Sequence, residues 1–248
     1  MAVASVTPIG LALVLAAQSA PTHEARPISY GVGIDVRSGY ADRGFVISDG
    51  PVVQPVAWVS GSVVSFWVWS NFTLAETTDS SLPQVGEMEL TLAHEWGRFT
   101  IGPAIRTFVY HDPVSPYSTR SIEGWLYLWY DVGPFRLFTN HSIDVLTYRG
   151  AYFGSAGIEV ERRVSPRLTA GGTFSGGWAS ATFNDAYAGV ARSAFNGISV
   201  EGRLTAEVMP HWSIGPVFAF STTMDRRVRA GLARPSFVFV GVTTGVEF

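Results

Sequence analysis

The stretch Phe237-Val-Phe-Val-Gly-Val-Thr-Thr-Gly-Val-Glu-Phe248 sets apolar side chains at alternate positions, with mostly small or polar residues between them, and ends on an aromatic ring. A period of two marks a strand whose two faces meet different surroundings. Closing a chain on that pattern fits the last strand of a β-barrel in an outer membrane.

Composition points the same way. The 248 residues are 47% hydrophobic and 15% charged, with 26 Gly and a mean hydropathy of +0.20, more apolar than a usual soluble domain. Beyond the first 20 residues no run approaches the roughly 18 apolar residues of a spanning helix, whereas alternating segments of about ten residues recur. Hydrocarbon admits only helices and closed barrels, so the alternation implies a barrel. The net charge is −3 and no basic block offers a footing for nucleic acid. The absence of cysteine fits a compartment that oxidises thiols.

Ile9 to Ala17 is a short apolar run followed by the small residues Ser19 and Ala20. Residues 1–20 read as a signal peptide, although Met1 to Pro8 holds no Lys or Arg. Residues 21–27 read as an N-terminal periplasmic segment and 28–248 as the barrel. The expected fold is all-β, a 12-stranded antiparallel transmembrane β-barrel in the cell outer membrane. Strands are predicted at about 28–38, 51–60, 63–74, 87–96, 98–110, 119–131, 134–145, 150–162, 167–178, 196–208, 212–222 and 237–248. Connections alternate between short turns rich in Gly, Pro and Ser and longer stretches such as 39–50 and 179–195. That rhythm predicts short periplasmic turns, longer external loops and both termini periplasmic. The stretch 181–195 mixes Ala with aromatics and is a candidate for a short helix.

Strand parity sorts the faces. Val200, Leu204, Leu90, Phe66 and Val240 belong outside, and Glu201, Arg203, Glu89, Trp67 and Trp69 inside. Trp58, Trp96, Tyr130, Phe135 and Trp212 sit beside short turns, as an interfacial belt would. Tyr40, Phe108, Tyr110, Tyr148, Tyr152 and Trp178 fall near the longer loops. The same parity assigns Asp35, Arg37, Gln54, Asn71, Glu89, Glu95, Arg106, Glu123, Arg136, Asn140, Asp144, Glu159, Glu161, Glu201, Arg203 and Glu207 to the lumen. Buried charges must pair or stay hydrated, and acidic groups outnumber arginines in this set.

A wet lumen of that kind predicts a narrow channel for small polar or cationic solutes. Inward Trp67, Trp69, Trp125, Tyr127 and Trp129 support an alternative, a filled structural or loop-presenting barrel without transport. A second alternative is an outer-membrane lipid hydrolase. His141 is its best candidate, yet parity puts it on the lipid side while Asn140, Ser142 and Asp144 point inward. His94 and Glu95 diverge in the same way, and His111-Asp112 makes a weak metal pair. No catalytic residue, cofactor or metal ligand is assigned. The arginines of Asp225-Arg-Arg-Val-Arg229, with Arg234, suit the phosphates of lipopolysaccharide. Outer-membrane lipids and the barrel assembly machinery are the other expected partners.

The terminal aromatic and the turn-loop rhythm resemble bacterial outer-membrane barrels over residues 28–248. More narrowly, Arg43-Gly-Phe-Val-Ile-Ser-Asp-Gly-Pro-Val-Val-Gln54, Trp67-Val-Trp-Ser-Asn71 and Glu87-Met-Glu-Leu-Thr91 resemble a group of uncharacterised porins of similar length. That resemblance implies one luminal cluster of Arg43, Asp49, Gln54, Trp69, Asn71 and Glu89. The known twelve-stranded sugar-acid channels have basic lumens, and this acidic set departs from them.

Overall fold

The computed structural model describes residues 28–74, 84–111 and 118–248. The signal-peptide and N-terminal expectations for 1–27, the loop stretches 75–83 and 112–117, and the side chains of Tyr110 and His111 lie outside the described residues.

Alternating sequence becomes strand nearly everywhere it is predicted. The elements are β1 Ser29–Arg37, β2 Tyr40–Asp42, β3 Phe45–Ser48, β4 Val52–Ser60, β5 Val64–Thr73, β6 Gln84–Leu92, β7 His94–Trp96 and β8 Phe99–His111. They continue with β9 Ser118–Val132, β10 Phe135–Asp144, β11 Tyr152–Ser165, β12 Leu168–Ala179, α1 Ala181–Ala188, β13 Ala194–Met209, β14 Trp212–Thr223, α2 Arg226–Ala230 and β15 Ser236–Glu247. Both β6 and β7 pair with β8 and form one wall strand interrupted at Ala93. The β2–β3 hairpin is not part of the wall. The remaining strands make a closed 12-stranded antiparallel barrel.

Closure runs through β1 and β15, with Gly31 opposite Glu247 and Arg37 opposite Gly241. Tyr30 and Phe248 exchange backbone hydrogen bonds of 3.1 and 2.9 Å, so the terminal aromatic is zipped to the first strand. No wall strand is left with an open edge, the condition hydrocarbon imposes. At the end bearing these termini the turns are tight, and Gly97 and Gly133 adopt the positive φ the reversals need. His211 adopts a φ of 69° in the last such turn and stacks on Phe248 at 5.2 Å.

The outer face is apolar. Ile34, Phe66, Leu90, Ile105, Leu137, Phe174, Leu204, Phe218 and Val240 are all exposed, which suits lipid rather than water. Their alternates point inward and are buried or half-buried. One aromatic expectation changes. Trp58 shares parity with Gln54 and lies across Gly31, where a Cβ would come within 2.4 Å of its ring, so it lines the lumen instead of the belt. Tyr40 and Phe108 pack inside the barrel at 1% and 2% exposure, because the hairpin bearing Tyr40 folds inward onto β8.

Candidate functional site

At the long-loop end, a piece of chain that is not wall packs into the lumen. The β2–β3 turn places Arg43 at φ 50° and Gly44 at φ 90°, a region non-glycine residues seldom occupy. That conformation points Arg43 down the barrel. Its Nη1 and Nη2 donate to Oε1 and Oε2 of Glu123 at 2.7 and 2.8 Å, and its Nε lies 3.4 Å from Asp42. A two-toothed guanidinium–carboxylate pair of this kind fixes orientation as well as distance. The rings of Phe108, Trp125, Phe153 and Phe183 surround the guanidinium at 5.0 to 5.8 Å.

Loops from the far side complete the cap. α1 starts on Ser180, whose hydroxyl accepts from Phe183 N at 3.2 Å, and ends on Gly189 at φ 65°. Asn184 and Asn196 exchange amide hydrogen bonds of 3.0 and 2.7 Å, which ties α1 to the start of β13. Phe183 and Val228 of α2 pack with Phe45 in one buried cluster. Thr223 donates to Gly44 O at 2.9 Å and seats the hairpin tip against β14.

Below the hairpin, Arg106 is caged on the β5–β9 wall. Its Nε donates to Glu89 at 2.7 Å and its Nη2 to the Tyr127 hydroxyl at 2.7 Å, with Glu87 at 3.5 Å. Tyr127, Thr91 and Trp67 also donate to Glu89, at 2.6, 2.8 and 3.2 Å. The guanidinium sits 4.0 Å from the Trp125 ring centre and 5.0 Å from that of Trp67. This wall is aromatic and solid.

The opposite wall is thin. Arg203 lies over Gly171 and Arg37 over Gly241, each where a Cβ would come within 3 Å of the arginine side chain. Laid flat, Arg37 binds Asp35 at 2.6 Å with Glu201 at 3.5 Å, and Arg203 binds Glu159 at 3.3 Å and Glu161 at 3.0 Å. Among the described residues, Arg37 Nη1 at 3.5 Å is the ion-pair partner of Glu201, and no shorter side-chain hydrogen bond reaches its oxygens. Toward the turn end Arg136 pairs with Asp131 at 2.7 Å, and Gly33, Thr173, Thr243 and Gly245 are only partly covered.

The residues assigned inward by parity are mostly buried there: Asp35, Arg37, Gln54, Asn71, Glu89, Arg106, Glu123, Asn140, Asp144, Glu159, Glu201 and Arg203. Glu95 and Glu207 share the inward parity but are exposed at the turn end. Asp144 holds the short 145–151 connection, accepting from Leu146 N and Tyr148 N at 2.9 and 3.0 Å and from Ser121 Oγ. The six residues singled out by resemblance make most of their direct contacts with other partners, Gln54 and Asn71 alone bonding each other. Arg43 binds Glu123, Asp49 binds Arg234 at 2.8 Å, Gln54 donates to Asn71 at 2.8 Å, and Glu89 belongs to Arg106. Trp69 packs against Tyr40. Parity shows nothing of where a loop goes, so Asp42, Phe45, Phe183 and Val228 of the cap were not foreseen.

His141 faces outward as expected. Its Nδ1 meets the Tyr152 hydroxyl at 2.7 Å and its Nε2 meets Thr139 Oγ1 at 3.1 Å, while Trp178 donates to Tyr152 at 3.1 Å. Thr139 also donates to Ser155 O at 2.9 Å. The polar atoms of this outer-face group are thus satisfied by one another.

Two cavities lie under the cap. One of about 30 Å³ is bounded by Arg43, Trp125, Asn140 and the serines of the β11–β13 wall. The other, of about 10 Å³, lies among Tyr40, Glu87 and Tyr187. The first has room for two or three waters at roughly 10–15 Å³ each. Among the described residues, the hairpin, α1 and α2 pack across the loop end of the lumen.

No family model matches the chain, and neither does any curated protein. Among solved structures the fold superposes on the KdgM porin with a TM-score of 0.53 and 8% identity, over 89% of this chain and 99% of that one. The KdgM porin in complex with disordered oligogalacturonate gives 0.50 and 10% identity, over 89% and 98%. The NanC porin in a rhombohedral crystal form gives 0.50 and 14% identity, over 88% and 98%. At these identities the likeness is one of fold, a barrel resembling outer-membrane porins.

Proposed function

We propose that this protein is a narrow outer-membrane channel for small polar or cationic solutes, and that the conformation described is its closed state. One observation carries the reading: the β2–β3 hairpin packs into the loop end of the lumen, held there by the Arg43–Glu123 pair, the Thr223–Gly44 hydrogen bond and the burial of Tyr40 and Phe45. A hairpin on a loop can leave; a wall strand cannot. Beneath it the thin wall is polar, and its carboxylates outnumber its guanidiniums, which raises the local concentration of cations. The short-turn end and both termini are periplasmic in this reading, and the long loops face outside. The terminal aromatic is then the feature that the assembly machinery recognises, and the arginines of α2 meet the phosphates of lipopolysaccharide.

Conductance of refolded protein in planar bilayers across a salt gradient tests the proposal. Stepwise cation-preferring currents are expected. Silent insertion, verified by protease protection, would instead favour a filled, loop-presenting barrel. The packing around Arg106 is the observation on that side, since no loop movement empties it. The hydrolase reading has no such support, because His141 is engaged by Tyr152 and Thr139.

A further inference from the structure

Where the β2–β3 hairpin meets the wall, four carboxylates face two guanidiniums. Asp42 and Arg43 come from the hairpin, Glu87 and Glu89 from β6, Arg106 from β8 and Glu123 from β9. Tyr40, Tyr127 of β9 and Tyr187 of α1 are the other titratable groups packed around them. Arg37 on β1 is committed to Asp35 and Glu201.

The two guanidiniums are already engaged. Arg43 holds both oxygens of Glu123 at 2.7 and 2.8 Å, and Arg106 binds Glu89 at 2.7 Å, where Tyr127, Thr91 and Trp67 donate as well. Asp42 and Glu87 are the surplus. Asp42 stands 3.4 Å from Arg43 Nε and Glu87 3.5 Å from Arg106 Nη1, longer than the roughly 2.7–2.9 Å of a strong charged hydrogen bond.

One of these two residues belongs to the hairpin and the other to the wall, and both border the cavity of about 10 Å³. That leaves room for one water at most, at the roughly 10–15 Å³ a water needs, and none for a hydrated cation. Among the described residues no three His, Asp or Glu are placed to hold a metal ion. The two carboxyls lie within electrostatic reach of each other, with side chains 20% and 8% exposed, and they repel when both are ionised. A proton is the counter-charge that fits.

Burial pushes the Asp42 carboxyl up from its ordinary value, against the pull of Arg43 and Arg106. With the hairpin off the wall and in water, Asp42 returns to the ordinary carboxylate range near about pH 4. The seated hairpin thus binds more protons than the released one, so seating is favoured at low pH and lost as pH rises past that range.

We propose that Asp42 and Glu87 form a proton-operated latch: the hairpin seats with one proton shared by the two carboxyls and leaves the wall when that proton passes to luminal water. Its effect on current rests on the channel reading; the movement of the hairpin does not.

Trypsin reports that movement without any current. On the full chain refolded in detergent, cleavage after Arg43 needs the hairpin released, while Arg149 lies exposed in the 145–151 connection and serves as internal reference. The ratio of the two cleavage rates, followed by mass spectrometry from about pH 5 to about pH 9, should rise by up to about tenfold per pH unit, the limit for one proton. Asp42→Asn and Glu87→Gln, made separately and checked for folding by heat-shifted gel mobility, should each keep the ratio low and flatten its pH dependence. A ratio that does not change with pH in the unaltered protein overturns the latch, and so does a rise that both variants retain. In planar bilayers the open fraction should follow the same rise. A rising ratio without current keeps the latch and sinks the channel reading, whereas current with a flat ratio does the reverse.

Discussion

Arg43 reaches across the lumen from a loop hairpin to grip both carboxylate oxygens of Glu123, 80 positions along the chain, at 2.7 and 2.8 Å. The pair is buried, with side chains 5% and 3% exposed. It joins the β2–β3 hairpin, which is outside the wall, to β9.

Removing one partner of such a pair leaves an uncompensated buried charge, which costs about 3–5 kcal/mol. Arg43→Ala should therefore release the hairpin and raise the open fraction in single-channel records. Combining it with Glu123→Gln should restore part of the closed fraction, because no lone carboxylate then remains. An open fraction equal to that of the unaltered protein in both variants would remove the pair from the closing mechanism.

Arg106 predicts a stability effect instead. Arg106→Met strands Glu89 and Glu87 in an aromatic wall, and urea unfolding in detergent should show a loss of about 3–5 kcal/mol. Adding Glu89→Gln should recover a measurable share. A double variant no better than the single one would mean that the cage is held by packing around Trp67 and Trp125 and not by charge.

Face assignment is checked on one strand. Val200→Arg introduces a charge on the outer face and should cost about 2–4 kcal/mol in refolding from urea into lipid vesicles, as lipid-facing charges near mid-depth do. Glu207, which has the inward parity on the same strand and is exposed at the turn end, should accept Arg at a much smaller cost. Equal costs at the two positions would contradict the parity of β13.

On the thin wall, Glu159→Gln with Glu201→Gln should weaken cation preference and move the reversal potential toward zero. Glu207→Gln should do less, since Glu207 is exposed at the turn end beyond the buried charges. Identical reversal potentials in the double variant would take these carboxylates off the conducting path.

Much of the barrel was legible because lipid outside and polar groups inside impose a period of two. Glu201 and Val200 could be assigned to opposite faces from the sequence alone, and the closing strand announced itself through Phe248. Where nearness to a turn was used in place of parity, the reading failed: Trp58 was put in the belt although its register with Gln54 sends it inward over Gly31. Partner choice was not legible either. Which acid Arg43 meets depends on barrel shear and on a turn with φ 50° at a non-glycine residue, neither of which local sequence records. Asp49 fell to Arg234 for the same reason.

The central claim is that the hairpin, and not the wall, closes this barrel. Replacing Tyr40 to Ser48 by two glycines and recording single channels in planar bilayers tests it most directly. The account predicts that the shortened protein passes steady cation-preferring current where the full-length one opens only intermittently. Verified insertion of the shortened barrel with no current would contradict it.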